Sequence, residues 1–181
     1  MIETERLRLR SWRADDIAAF HAICSDPLVM ATLGPPLSHV ETQALVERMQ
    51  RLQAELGHCF WALERRDDAR LIGWCGAIRG SVGPVVDKVE IGWRLASDCW
   101  GRGYAIEAAK ATRNWCFTHL GDDAIWAITA ATNSRSRAVM ERLAMTYQAG
   151  RDFDHPRVAA DSPLLRHVVY ALERAAWIPE G

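Results

Sequence analysis

The sequence predicts a mixed α/β or α+β fold, in which helices cover both faces of a central sheet. Segments with strand periodicity alternate along the chain with segments of helical periodicity. The length of 181 residues and the hydrophobic content of 49% suit one domain with a sizeable core. We therefore expect a single domain over residues 1–181, built on a mixed sheet of about seven strands.

The N-terminal half contains the clearest element boundaries. Glu5 to Arg10 alternates charged and apolar residues, which predicts a strand with one buried face. A helix begins at Asp15–Asp16 and stops at Asp26–Pro27, because the residue before a proline avoids the helical region. Ser38 and Glu41 have the spacing of a capping box, and Gly57 is the expected C-cap of the helix that follows. Further strands are predicted over 60–64 and 71–78.

The C-terminal half adds strands and helices in alternation. Gly92 lies in the middle of a long strand pattern and suggests a bulge or a close backbone approach. The predicted strands span 85–96, 124–131, 145–151 and 167–172, and the helices span 104–119 and 134–143.

Charge and cysteine usage exclude several classes of protein. Twenty-two basic and 23 acidic residues give a net charge of -1, which predicts no global attraction to nucleic acid or to anionic membranes. No apolar stretch is long enough for a transmembrane helix, and Met1 to Glu5 lacks a signal-peptide core. The five cysteines are widely spaced without a CxxC pair, so we expect reduced thiols, a cytoplasmic protein and no metal site.

The loop Trp100-Gly101-Arg102-Gly103-Tyr104-Ala105 joins a strand to a helix. The first N–H groups of a helix have no internal partner, and glycines let the backbone approach a bulky anion. The pattern therefore predicts a pyrophosphate cradle, to which Arg102 adds a cation. It is neither a Walker A motif nor a Rossmann fingerprint, and a simple tight connection is the alternative interpretation.

A second segment, from Thr129 to Met145, ends a strand and opens a helix. Together with the loop, it resembles the GNAT acetyltransferase superfamily, in particular its ribosomal-protein N-terminal acetyltransferase-like branch. The family loop has Gln or Arg first, Gly fourth, and Gly or Ala sixth; here Trp100, Gly103 and Ala105 stand there. The branch motif continues at Asn133, Ser136, Glu141, Arg142, Leu143 and Met145, with Ala144 where glycine is usual, and the chain ends 4–10 and 166–170 also resemble this branch.

The resemblance implies direct acetyl transfer from acetyl-CoA to a primary amine, with CoA as product and a splayed cofactor cleft in a mostly antiparallel sheet. The strand around Arg94 to Ala96 would diverge at a bulge and pair with pantetheine, and the Leu95 N–H would polarise the thioester carbonyl. Asn133 would bind the pantetheine amides, with a helix cap as the alternative role. The implied cofactor-binding residues are Arg94, Leu95, Ala96, Trp100, Gly101, Arg102, Gly103, Tyr104, Ala105, Asn133 and Ser136.

Glu90 is the predicted general base, with an exposed strand carboxylate as the alternative interpretation and His155 as the alternative base. Many superfamily members use a Tyr seven residues after the Asn as proton donor. That position is Met140 here, so Ser136 is the predicted donor, with helix capping as its other role.

We expect acceptor specificity from the helical segment 37–57, where Arg48, Arg51 and Glu55 could meet an acceptor or form a solvated face. The acceptor could be a protein N-terminus or a small-molecule amine, and the protein a monomer or a homodimer. Two other functions stay open: a non-catalytic acyl-CoA-binding or sensing module, and an interaction domain with a vestigial loop.

Overall fold

The computed structural model describes residues 1–178, which form one sheet of nine strands and five α-helices. The strands are β1 (Ile2–Glu3), β2 (Leu7–Arg10), β3 (Phe60–Arg65), β4 (Leu71–Arg79), β5 (Val89–Leu95), β6 (Ala124–Ala130), β7 (Thr146–Tyr147), β8 (Phe153–Asp154) and β9 (Arg166–Glu173). The helices are α1 (Asp16–Cys24), α2 (Pro27–Met30), α3 (His39–Leu56), α4 (Tyr104–His119) and α5 (Ser134–Arg142).

The sheet is open and mostly antiparallel, in the order β1-β2-β3-β4-β5-β6-β9-β7, with β8 also paired to β9. Only β5 and β6 run parallel within the described residues. The mixed, mostly antiparallel sheet predicted from the sequence is confirmed. The parallel pair sits near its middle, where α4 makes the crossover that two parallel strands require.

Helices cover both faces of the sheet. Trp74 and Cys75 are neighbours on β4, so their side chains point to opposite faces. The Trp74 ring lies 5.2 Å from the ring of Phe20 on α1, while the Cys75 Sγ lies 3.5 Å from Thr112 Oγ1 on α4. The first face is therefore covered by α1, and α3 packs against α1. The second face is covered by α4.

The strand predictions need four corrections. Two strands of two residues each, β1 and β8, were not predicted, because pairs this short carry no periodicity. The strand predicted over 145–151 is paired only at Thr146–Tyr147. The strand predicted over 85–96 begins at Val89, because Gly83–Val85 forms a 3₁₀ turn around Pro84, which has no N–H to donate to a ladder.

The predicted caps of α3 are confirmed. Ser38 Oγ accepts from the Glu41 N–H at 3.2 Å, and the Glu41 carboxylate accepts from the Ser38 N–H at 2.8 Å. Gly57 ends the helix with φ 77°, in the left-handed region that favours glycine.

Helix α2 was missed by the sequence analysis. Pro27 ends α1 as predicted, but it also occupies the first turn of a new helix, where its missing N–H costs nothing. Asp26 caps this helix by accepting the Leu28 N–H at 2.8 Å. The chain therefore makes one extra helical turn before the loop that leads to α3.

The backbone conformation at Ala144 explains why the branch motif usually has glycine at the end of α5. The Met145 N–H donates to Met140 O at 3.0 Å and the Ala144 N–H to Glu141 O at 3.0 Å, which is a Schellman motif. Ala144 takes the left-handed conformation of this motif with φ 61°. An alanine there costs on the order of 1–2 kcal/mol relative to an unstrained residue.

Candidate active site

The candidate site is a cleft of about 710 Å³ that opens where β5 and β6 separate. The two strands are paired only at Val89 with Ile125 and at Glu90 with Trp126. Beyond these pairs β6 continues beside β9, and β5 continues beside β4. The C-terminal half of β5 therefore has a backbone edge with no strand beside it, as the resemblance implied. The register of β5 on β4 is unbroken from Val89 to Leu95, so the predicted divergence occurs without a bulge in that pairing.

The free edge presents the backbone of Leu95 to the cleft. The Ala96 N–H donates to Ile72 O on β4 at 2.9 Å. Backbone groups of successive strand residues alternate in direction, so the N–H and C=O of Leu95 point away from β4 and into the gap. The Leu95 C=O accepts the indole N–H of Trp100 at 3.0 Å. Ala96, predicted to bind the cofactor, is bonded to β4 and does not line the cleft.

The loop of residues 100–105 forms one end of the cleft. Gly101 and Gly103 have φ 73° and 81°, so both turns need the left-handed conformation, and Gly103 is the N-cap of α4. Arg102 alone among the six residues of this loop does not line the cleft. Its side chain is exposed, and its carbonyl accepts Arg6 Nη1 at 3.0 Å. The predicted cation at this end of the cleft is therefore not supplied by Arg102.

The N-terminal segment holds this loop in place. Arg6 donates to Glu107, in the first turn of α4, from its backbone N at 3.0 Å and from Nε at 2.7 Å. Thr4 Oγ1 donates to the same carboxylate at 2.5 Å. The guanidinium of Arg6 also lies 4.8 Å from the centre of the Tyr104 ring. These contacts give the N-terminal motif a physical role, which is to fix the start of α4.

The start of α5 forms the facing wall. Asn133 Oδ1 accepts the Ser136 N–H at 3.1 Å, so the capping role considered from the sequence is present, while its Nδ2 has two protons to donate elsewhere. Asn133, Ser134 and Ser136 all line the cleft. Arg135 lies with its guanidinium 4.4 Å from the Trp100 ring and thus places a cation beside the loop. Arg135 was not predicted as a site residue, because only the fold brings it to Trp100.

Glu90, Gly92 and Arg94 lie on the face of β5 that is turned toward α1. Their partners on β4 are Ile78, Gly76 and Trp74, and Trp74 packs against α1. We call this surface, together with Phe60 and Trp74, the acceptor face; its five residues all line the cleft. Burial raises the pKa of Glu90 to about 7, against smaller opposing effects of the positive charges of Arg48 and Arg157. A carboxylate with this pKa can accept a proton near neutral pH.

His155, the alternative base, does not line the cleft. Its ring lies 4.6 Å from the ring of His167, and its Nδ1 accepts the Arg157 N–H at 3.2 Å. Burial lowers the pKa of His155, and the nearby His167 and Arg157 lower it further. Met140, in the family's proton-donor position, is a buried core residue.

The cleft is lined by the segment before α3 and not by α3, from which we expected acceptor specificity. None of Arg48, Arg51 and Glu55 on α3 lines the cleft, whereas residues from α2 and the turn after it do. Leu28 and Leu33 are 67% and 41% exposed there, although both are apolar. The extra turn begun by Pro27 puts this segment over the mouth of the cleft, ahead of α3.

Comparison with known proteins identifies the family. Residues 6–146 match the family model described as "Acetyltransferase (GNAT) domain". The chain belongs to the GNAT acetyltransferase family. The general reaction of this family is acetyl transfer from acetyl-CoA, and the family predicted from the motifs is confirmed.

Individual relatives agree with this assignment. The chain is 30% identical to the uncharacterized protein YkkB of Bacillus subtilis (strain 168) over 145 residues, which are 80% of this chain and 84% of that protein. An acetyltransferase from Agrobacterium tumefaciens str. C58 has a TM-score of 0.77 at 27% identity, covering 95% of this chain and 93% of that chain. A ribosomal L7/L12 alpha-N-protein acetyltransferase in complex with coenzyme A has a TM-score of 0.76 at 17% identity, covering 96% and 97%. At this last identity the likeness concerns the fold alone.

Three further properties concern residues 1–178. Within this range, no helix combines the length and apolarity needed to cross a membrane. The same residues contain no group of three or more His, Cys, Asp and Glu side chains arranged to hold a metal ion. The five cysteines are buried and unpaired.

Proposed function

We propose that this GNAT protein transfers an acetyl group from acetyl-CoA to a primary amine by direct attack in a ternary complex. The observation that carries the proposal is the double use of β5. One edge of the strand offers free backbone groups to the gap beside β6, while one face offers the Glu90 carboxylate to the same cleft. The two reactants of an acyl transfer can thus be held on a single rigid element.

The cosubstrate would lie in the β5–β6 gap. Leu95 would pair with its pantetheine arm, and the turn at Gly101 and Gly103 would bind the pyrophosphate at the positive end of α4. Arg135 would supply the positive charge that Arg102 does not. When bound, acetyl-CoA supplies an activated thioester, and the Leu95 N–H would donate to its carbonyl oxygen. A donor of this kind is worth about 3–4 kcal/mol where it has been measured.

Glu90 would remove the proton from the acceptor ammonium, directly or through a water. Its raised pKa makes it a stronger base than an ordinary carboxylate while leaving it ionised in part near neutral pH. Ser136 would donate a proton to the departing thiolate. Its backbone N–H is used by the Asn133 cap, which leaves the hydroxyl available for this second role.

The acceptor is proposed to be a small-molecule amine or a protein N-terminus. The buried, unpaired thiols support our proposal that the protein works in the cytoplasm, where thiols are kept reduced.

Two measurements on the purified chain test the proposal. Calorimetric titration with acetyl-CoA measures binding, and thiol release over a panel of amines, with mass spectrometry of the products, measures transfer. We expect micromolar binding and N-acetylation of some members of the panel. Binding without turnover of any amine would favour a non-catalytic acyl-CoA sensor, whereas absence of binding would contradict the cofactor site itself.

A further inference from the structure

Arg94 is a cation that lies in the cleft without a carboxylate partner. Within residues 1–178 no Asp or Glu oxygen forms an ion pair with its guanidinium. Its Nε is buried and makes no hydrogen bond within the described chain. A half-buried guanidinium without an ion-pair partner loses part of its hydration, and a buried donor left without an acceptor adds to that cost. The Arg94 guanidinium can therefore bind an anion that is not part of the described chain.

The contacts that Arg94 does make leave its charge uncompensated. Nη1 donates to Cys24 Sγ at 3.0 Å, and the guanidinium lies 5.0 Å from the centre of the Trp74 ring. Burial raises the pKa of the Cys24 thiol, against the opposing effect of Arg94, so the sulfur stays neutral at pH 7. Trp74 and Cys24 thus orient the guanidinium without neutralising it. With Nη1 occupied and Nε buried by the protein, Nη2 remains to donate a charge-assisted hydrogen bond to a carboxylate oxygen in the cleft.

The rest of the acceptor face is complementary to an amine that carries such a carboxylate. Glu90 and Arg94 are four residues apart on the same face of β5, so their Cα atoms are separated by about 13 Å. Between them lies Gly92, and the Phe60 ring covers it so closely that a Cβ at Gly92 would meet the ring at 3.0 Å. A proton acceptor and a cation are therefore joined by an aromatic floor.

We propose that the acceptor is a small amine that also bears a carboxylate, with the carboxylate bound by Arg94 and the apolar part lying over Phe60. The inference rests on the proposed acetyl transfer and names its substrate class. In that transfer the amine nitrogen forms a bond to the acetyl carbon, the bond from that carbon to sulfur breaks, and the amine proton passes to Glu90. Arg94 takes no part in these steps and acts as a specificity residue.

Matched acceptors test the proposal. Amines that carry a carboxylate at the far end of an apolar chain are compared with their carboxamides and with the amines that lack the carboxylate, at saturating acetyl-CoA. We expect the acid to have the higher kcat/KM by about 10- to 100-fold, the range of one or two charge-assisted hydrogen bonds. Arg94→Gln should collapse this ratio toward one by raising KM for the acid, and Arg94→Lys should restore part of it. Arg166→Gln, which changes an exposed arginine on β9, is the matched control and should keep the ratio.

A binding assay separates this inference from the proposed function. The intrinsic tryptophan fluorescence, to which Trp74 beside Arg94 contributes, is titrated with the N-acetylated acid and with its amide in the presence of CoA. Saturable binding of the acid that Arg94→Gln weakens supports the carboxylate site even if no amine is turned over. Turnover with equal preference for acid and amide, or an Arg94→Gln variant that keeps the preference, would overturn the inference while leaving acetyl transfer intact. Preference for a peptide N-terminus over every small acid would overturn it as well.

Discussion

The two sides of β5 form two parts of one cleft by different means. On the proposed cofactor side the groups that face the cleft are mainly backbone groups: the Leu95 N–H, the turns at Gly101 and Gly103, and the start of α4. On the acceptor face they come from side chains, chiefly Glu90 and Arg94. A backbone site can bind the same cosubstrate in many relatives, whereas a side-chain site changes with every substitution. For this reason the loop and the start of α4 resemble the family, whereas the acceptor has to be inferred from the side chains of this chain.

The largest expected effect concerns the backbone site. Gly103→Glu should abolish detectable acetyl-CoA binding, because it places a carboxylate at the N-cap of α4 and a side chain on a residue with φ 81°. Calorimetry measures the binding. Gly57→Glu is the matched control, since Gly57 has φ 77° at an open position at the end of α3, on no wall of the cleft. Equal loss in both variants would mean that strain alone, and not the site, accounts for the result.

The acceptor face is tested by Glu90→Gln, which should lower kcat by about 100-fold, within the range of general-base catalysis. In the wild type, kcat/KM should rise with pH through about 7 as Glu90 loses its proton, and the variant should lose this limb. Glu55→Gln, on the exposed surface of α3, should behave as the wild type. An unchanged pH profile in Glu90→Gln would contradict the assignment of the base.

The same substitution has a predicted effect on stability. The folded pKa of Glu90 is raised above its unfolded value, so the folded protein binds the proton more tightly and loses stability as pH rises from about 4.5 to about 7. Above pH 7 the ionised carboxylate of Glu90 lowers the free energy of unfolding, and the uncharged glutamine removes this effect. Glu90→Gln should therefore melt no lower than the wild type at pH 8, which separates lost catalysis from lost folding.

Ser136 lies on the cofactor side but would act through its side chain. We expect its substitution to lower kcat less than the substitution of Glu90. Ser136→Ala should lower kcat by about 10-fold, below the usual range for acid catalysis, because water can replace the hydroxyl in part. The Asn133 cap uses the Ser136 backbone and survives the change, so the melting temperature should stay the same. Ser136→Thr keeps the hydroxyl and should recover most of the rate. Full activity in Ser136→Ala would remove the proposed proton donor.

The smallest expected effect concerns the backbone strain at Ala144, which follows α5 and does not line the cleft. Ala144→Gly should stabilise the fold by about 1 kcal/mol, because φ 61° suits glycine and strains alanine. Thermal unfolding should show a rise of a few degrees. Ala54→Gly, at an exposed right-handed position in α3, is the opposite control and should destabilise by about 1 kcal/mol. A lower melting temperature for Ala144→Gly would contradict the strain.

Features that depend on neighbouring residues in the sequence could be predicted, whereas features that depend on distant contacts could not. The bounds of α4 and the capping box of α3 were predicted because caps and helical periodicity are local signals. The loop over residues 100–105 was predicted as a pyrophosphate cradle for the same reason, because its signal is also local. Arg135 beside Trp100, Arg94 beside Cys24 and the turn begun at Pro27 were missed, because each depends on a contact or a path that only the folded chain creates.

Hydrogen–deuterium exchange with and without acetyl-CoA tests the central claim, that the free edge of β5 is the cofactor site, most directly. Exchange should become slower on binding in peptides covering residues 91–105 and 133–136, with no change across α3 at 39–56. Slower exchange confined to other parts of the chain, or no change at the amide of Leu95, would contradict it.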